Sequence, residues 1–142
     1  MKKHEFNINE KVNPLLSNVW GQWYPFNTHC PSNVFPFFAK NKNNAPTGCV
    51  AMALAQIMAF HEFPQKIEIT DFDWQKIKQI MPCENPNFFG EKKYINALTK
   101  FLAEIGKKCL NIYAHNWTFA LPQMAKRCLK YFGYQNVTLT YG

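Results

Sequence analysis

Apolar residues before position 45 follow no helical or strand period. Pro14, Pro25, Pro31, Pro36 and Pro46, with the polar run Lys40-Asn41-Lys42-Asn43-Asn44, interrupt every candidate stretch. Prolines at that density break helices and favour extended or turning backbone, so this region reads as loop. The pattern then changes abruptly. Thr47-Gly48-Cys49-Val50-Ala51-Met52-Ala53-Leu54-Ala55-Gln56-Ile57-Met58-Ala59-Phe60-His61 carries four alanines among strong helix formers, and after Cys49 only Gln56 and His61 are polar. A helix apolar on every side belongs in a core. The segment therefore predicts a central buried helix with a cysteine at its N-terminus, ending near Phe63-Pro64.

Three further elements follow. Asp71-Phe72-Asp73-Trp74 with Ile77, Ile80 and Met81 reads as a short helix capped by Asp73. After a loop from Pro82 to Gly90, the span Glu91 to Ile105 places Tyr94, Leu98, Phe101, Leu102 and Ile105 on one helical stripe, with Gly106 as its C-cap. A helix over Pro122 to Phe132 turns Met124, Ala125, Cys128, Leu129 and Phe132 inward. Pro122 suits its first turn and Gly133 its close. Asn136 to Tyr141 alternates like a strand. A strand with so few candidate partners is expected to pair with something beyond this sequence.

Composition narrows the function classes. With 47% hydrophobic and 18% charged residues in 142, the chain is no disordered tail, and 16% aromatics supply a sizeable core. No apolar run is long enough for a membrane span, and no signal-peptide core follows Lys2-Lys3. The net charge of +7 is dispersed, densest at Lys107-Lys108 and Lys126-Arg127-Lys130, without a nucleic-acid reading motif. It reads as a solvated basic surface rather than a specific nucleic-acid interface. The five cysteines, at 30, 49, 83, 109 and 128, form no Cys-x-x-Cys pair and no zinc spacing, so neither a metal nor a cofactor is called for. Their odd number leaves at least one thiol unpaired if all possible disulfides form within the chain. One functional thiol among structural ones is the expectation.

Cys49 is the candidate. A sulfur at a helix N-terminus faces unpaired N–H groups and about half a unit of positive charge. Gly48 permits a tight entry and close approach of a substrate, and a rigid buried helix behind it fixes the sulfur in place. This is the arrangement of a nucleophilic cysteine, although a free cysteine is also commonly just a small core hydrophobe. Attack on a carbonyl further needs a donor for the oxyanion, for which a side-chain amide serves. Gln22, in Trp20-Gly21-Gln22-Trp23-Tyr24-Pro25-Phe26-Asn27, is a candidate, and on its own an ordinary loop residue.

These segments together resemble the streptopain family of cysteine peptidases. Thr47-Gly48-Cys49-Val50-Ala51, Ala55-Gln56-Ile57-Met58, His61 and Pro64 are similar to its nucleophile helix, with Phe60 where the family has Tyr. Trp20 to Asn27 resembles its oxyanion segment. Asp73-Trp74, Leu102-Ala103-Glu104-Ile105-Gly106 and Leu129-Lys130-Tyr131-Phe132-Gly133-Tyr134 resemble later landmarks in the same order. The likeness covers about residues 14 to 137. It implies an α+β, papain-like cysteine peptidase fold, Cys49 as nucleophile, and Gln22 with the Cys49 N–H as oxyanion hole. It also implies protein or peptide substrates, a possible propeptide-like inhibitor, and secretion, since family members are mostly secreted bacterial proteases.

Two departures accompany it. The family's Gly-Ser-rich cleft loop is replaced by the bulkier Ala114-His115-Asn116-Trp117-Thr118-Phe119-Ala120. The family's catalytic histidine, after a Gly-Gly step in a second half of the domain, has no counterpart. His4, His29 and His115 match no such position, and His61, about three turns along the nucleophile helix, is expected as a core or helix-end histidine rather than beside the sulfur. Residues 1–142 are thus expected to form the N-terminal half of a peptidase domain, incomplete and inactive alone, needing the C-terminal half as partner. The alternative is a non-catalytic binding module derived from such an enzyme.

Overall fold

The computed structural model describes residues 13–32, 44–80, 91–114 and 116–140. Among these described residues, four helices and one small hairpin follow in the order α1 (Cys49–His61), α2 (Trp74–Ile77), α3 (Lys92–Lys108), β1 (Ile112–Tyr113), β2 (Thr118–Phe119) and α4 (Pro122–Tyr131). Helix α1 packs against both α3 and α4, which also pack on each other. Its alanines explain how closely. Ala51, Ala55 and Ala59 recur every four residues and are fully buried, so neighbouring side chains reach the helix backbone. Phe101 of α3 fills the space opposite. Its ring meets Phe72, Trp74 and Phe132 edge-on, at centroid distances of 5.0, 5.6 and 5.4 Å. Such geometry matches the ring quadrupoles. The Trp74 indole N–H is satisfied by the Pro64 carbonyl at 3.0 Å.

Burial of α1 is one-sided, against the sequence expectation. Met52, Leu54 and Met58 are buried with the alanines, but Cys49, Ala53, Ile57 and Phe60 lie along an exposed stripe. Helix α3, at 17 residues, is also longer than α1 at 13.

The stripe predicted for α3 is the buried one: Leu98, Phe101, Leu102 and Ile105 are sealed, with Tyr94 half-buried. Its predicted end is not. Gly106 is a buried residue inside the helix rather than its C-cap. Its missing side chain makes room for Tyr113 and Asn111. The helix runs to Lys108 and closes when Leu110 takes the left-handed conformation at φ 52. The Asn111 N–H then donates to the Gly106 carbonyl and the Leu110 N–H to that of Lys107. Helices α1 and α4 end by the same crossed pair of bonds, with Glu62 and Gly133 as the left-handed residues. Gly133 and Pro122 therefore sit where the sequence puts them.

Asp73 caps α2 as expected, accepting from the N–H groups of Gln75 and Lys76, although that helix is only one turn long. Met81 and the loop from Pro82 to Gly90 lie outside the described residues. The strand expected over Asn136 to Tyr141 is not formed: residues 136–140 adopt neither helix nor strand, and Tyr141 lies outside the described residues. The two strands that do form, joined antiparallel with Ile112 opposite Phe119 and Tyr113 opposite Thr118, were not legible in the alternation pattern, because two residues per strand carry no period.

Candidate active site

Cys49 is the first residue of α1, and its thiol is free and exposed. Gly48 precedes it at φ 95, a backbone conformation that side chains resist. A Cβ at Gly48 would also lie 2.8 Å from Thr118 Cγ2 and 3.2 Å from Asn111 Nδ2. Glycine is thus required twice over, by torsion and by space.

The approach to the thiol is fixed by a series of long-range hydrogen bonds. The Ala45 N–H donates to the Pro31 carbonyl at 2.9 Å. The Thr118 hydroxyl donates to the Pro46 carbonyl at 2.6 Å, and the Asn111 amide to the Thr47 carbonyl at 3.2 Å. The Thr47 N–H donates to the carbonyl of Gln22 at 2.9 Å, and the Gly48 carbonyl accepts the first helical bond, from Met52. Each residue from Ala45 to Gly48 is therefore tied through its backbone. The segment is buried throughout and only the side chain after it emerges.

The bond from Thr47 brings Gln22 and Cys49 into one structural unit. Gln22 is half-buried, and its loop is pinned on both sides. Trp20 is buried and gives its indole N–H to the Ile80 carbonyl at 3.1 Å, while Phe26 is 1% exposed. Asn27 and Asn44 exchange amide-to-carbonyl bonds at 2.9 and 3.1 Å, lacing this loop to the one that enters α1.

The described histidines lie elsewhere. His61 is the last residue of α1, about 18 Å along the helix from Cys49, with its ring edge-on to Phe60 and Tyr134. Of the two positions expected of it, core or helix end, it takes the helix end and is exposed. His29 Nδ1 lies 2.9 Å from the Thr99 hydroxyl, and burial first, then the Lys100 charge, lowers its pKa below the ordinary 6.5. His4 and His115 lie outside the described residues. No cluster of metal-ligating side chains occurs among the described residues. Sequence reasoning missed Asn111 and Thr118, which hold and crowd the Cys49 approach. A single Asn or Thr in a loop gives no signal until the chain has folded back across more than sixty residues.

A model of the Peptidase C10 family matches residues 20–141, nearly the whole chain and every segment just described. The chain belongs to the Peptidase C10 family. This peptidase-family chain is similar in fold to active wild-type interpain A, a cysteine protease of Prevotella intermedia, with a TM-score of 0.63 and 21% sequence identity over 84% of this chain. It is likewise similar to a prointerpain A fragment of that organism, with a TM-score of 0.62 and 21% identity. The family member described here spans 53% of the interpain A chain and 42% of the prointerpain A chain, about half their length. No curated protein matches it. The fold is therefore that of the papain-like cysteine protease interpain A, present in part.

Proposed function

We propose that this chain carries the nucleophile half of a cysteine-type endopeptidase. Cys49 attacks the scissile carbonyl to give an acyl-enzyme, and the Gln22 side-chain amide with the Cys49 N–H stabilises the oxyanion. The observation that carries this reading is the exposed thiol on the first turn of α1, presented by a wholly buried and hydrogen-bonded approach. A structural cysteine would face the other way. Substrates are proteins or peptides, which bind across the exposed end of the helix. No helix among the described residues is long and apolar enough to cross a membrane, and family likeness favours action outside the cell.

Proton transfer needs an imidazole, and neither described histidine stands near Cys49. The base is supplied by the part of the peptidase fold that residues 1–142 do not span. The exposed apolar stripe of α1, with Ile57 39% and Phe60 47% accessible, supports a covering partner of that kind. The test is casein hydrolysis by the chain alone and with the complementary half of a family member supplied in cis. Turnover is expected only with the second half, lost with Cys49→Ala and lowered about 10²–10³-fold by Gln22→Ala. Turnover that survives Cys49→Ala would refute the mechanism. A second half that restores the fold but no Cys49-dependent cleavage would favour a non-catalytic binding module.

A further inference from the structure

Two buried thiols outside the candidate active site lie where α3 and α4 pack together. Cys109 stands at the C-terminal end of α3 and Cys128 in the middle of α4. Both are fully buried and both are free. Their positions converge on one backbone group. The Cys109 N–H donates to the Ile105 carbonyl at 2.8 Å, and Cys128 Sγ lies 3.9 Å from the same oxygen. Each thiol's nearness to the other is the foremost influence on its titration: it lowers the pKa of Cys109 and raises that of Cys128. The other described cysteines are placed differently. Cys30 is buried beside Thr47 and Tyr113, and Cys49 is exposed.

We propose that Cys109 and Cys128 form a disulfide that staples α3 to α4 when the protein folds in an oxidising compartment. The oxidant is a disulfide of the glutathione or thiol-oxidoreductase class. The Cys109 thiolate attacks one sulfur of the donor and expels the other as a thiolate. Cys128, deprotonated, then attacks Cys109 Sγ in the mixed disulfide and releases the second donor thiol. Two protein thiols lose two protons and two electrons, and the donor disulfide becomes two thiols. Because both sulfurs are sealed once α4 has docked, the exchange belongs to folding or to transient opening of that interface. The cross-link closes a loop of 20 residues, counted from Cys109 to Cys128, and fixes the end of α3, two residues before Asn111, whose amide holds the Thr47 carbonyl. It leaves Cys49 as an unpaired thiol.

The test is peptide mapping of the whole chain after folding in a mixture of oxidised and reduced glutathione, with alkylation under denaturing conditions. Cleavage after Lys108, Lys126, Arg127 and Lys130 separates peptide 109–126 from peptide 128–130. The expected product is these two peptides joined, and separated by reduction. Cys49 should be alkylated in the same sample before unfolding, and the melting temperature should fall by about 5 °C or more on adding dithiothreitol. Cys128→Ser should remove that dependence; if this variant does not fold, the map of the natural sequence decides. Recovery of both cysteines fully alkylated from the oxidised sample, or of either joined to a different cysteine, overturns the proposal.

Discussion

Gly106→Ala sets two well-calibrated effects against each other. In a helix interior, alanine is favoured over glycine by about 0.5–1 kcal/mol, because the unfolded glycine chain has more freedom to lose. Gly106 has no unusual torsion, so by propensity alone the substitution stabilises the protein. Packing opposes it. The new Cβ would overlap the Tyr113 hydroxyl and lie 3.1 Å from Asn111 Nδ2 and 3.3 Å from Tyr113 Cζ. Neither neighbour is free to yield. Tyr113 is half-buried with its hydroxyl in the polar group of Cys30 and Asn111, and Asn111 donates to the Thr47 carbonyl. Overpacking of this kind costs about 1–3 kcal/mol, and breaking the Asn111 bond about 1 kcal/mol more. The net expectation is a loss of about 1–3 kcal/mol, opposite in sign to propensity.

The double substitution separates the causes. Tyr113→Phe deletes the one overlapping atom and leaves the 3.1 Å contact with Asn111 Nδ2 and the 3.3 Å ring contact, which call for shifts of only a few tenths of an ångström. In the Tyr113→Phe background, Gly106→Ala should therefore cost about 1 kcal/mol or less. The coupling between the two sites is expected to be about 1–2 kcal/mol. Urea unfolding of the natural sequence, both single variants and the double variant measures this. The alkylation rate of Cys49 reports whether the strain reaches the Thr47 carbonyl. If Gly106→Ala is more stable than the natural sequence, or if the two effects are additive, the account of Gly106 as space for the Tyr113 hydroxyl is wrong.

The other expectations concern single groups. Burial, before any other influence, pushes the Tyr113 pKa up to about 12 from an ordinary 10. The folded chain therefore holds this proton more tightly than the unfolded one. The associated stability is full below pH 10 and is lost as pH rises through about 12. Discounted for the partial exposure of the ring, it amounts to about 1–2 kcal/mol. Denaturation midpoints across that range should fall more steeply for the natural chain than for Tyr113→Phe, and equal slopes would count against the assignment. Asp73→Ala removes the acceptor for the Gln75 and Lys76 N–H groups and should cost about 1 kcal/mol in urea unfolding, whereas Asp73→Asn should recover most of it.

What could be read from the sequence depended on the range of the interaction. Helices α1, α3 and α4, the Asp73 cap and the close of α4 at Gly133 are governed by residues within a turn or two, and each stands within a few positions of its expected place. Gly106 misled because glycine just after an apolar stripe ordinarily ends a helix. Here it is kept for a neighbour several residues on, and Leu110 makes the left-handed turn instead. The alternation at 136–140 misled for a related reason: period two describes a residue pattern, whereas a strand also needs a partner, and none among the described residues pairs with it. The placement of Cys49 at a helix start was legible. The way its approach is held was not, because Asn111 and Thr118 reach it from 64 and 72 residues away in sequence.

That long reach also explains why the hairpin exists at all. Two strands of two residues bury little surface and would not persist alone in water. Ile112, Trp117 and Phe119 are each about half exposed, so the hairpin is not held by its apolar side chains. It is held by polar groups at its roots. Asn111 and Thr118 donate to the carbonyls of Thr47 and Pro46, and the same two side chains close over the bare backbone of Gly48. The dependence is mutual. The segment entering α1 gives the hairpin its anchor, and the hairpin leaves that segment one path, with φ 95 at Gly48 and the next side chain emerging at the surface. A side chain at Gly48 would displace the hairpin and the Cys49 backbone together, so a substitution there perturbs the thiol's position without touching the sulfur.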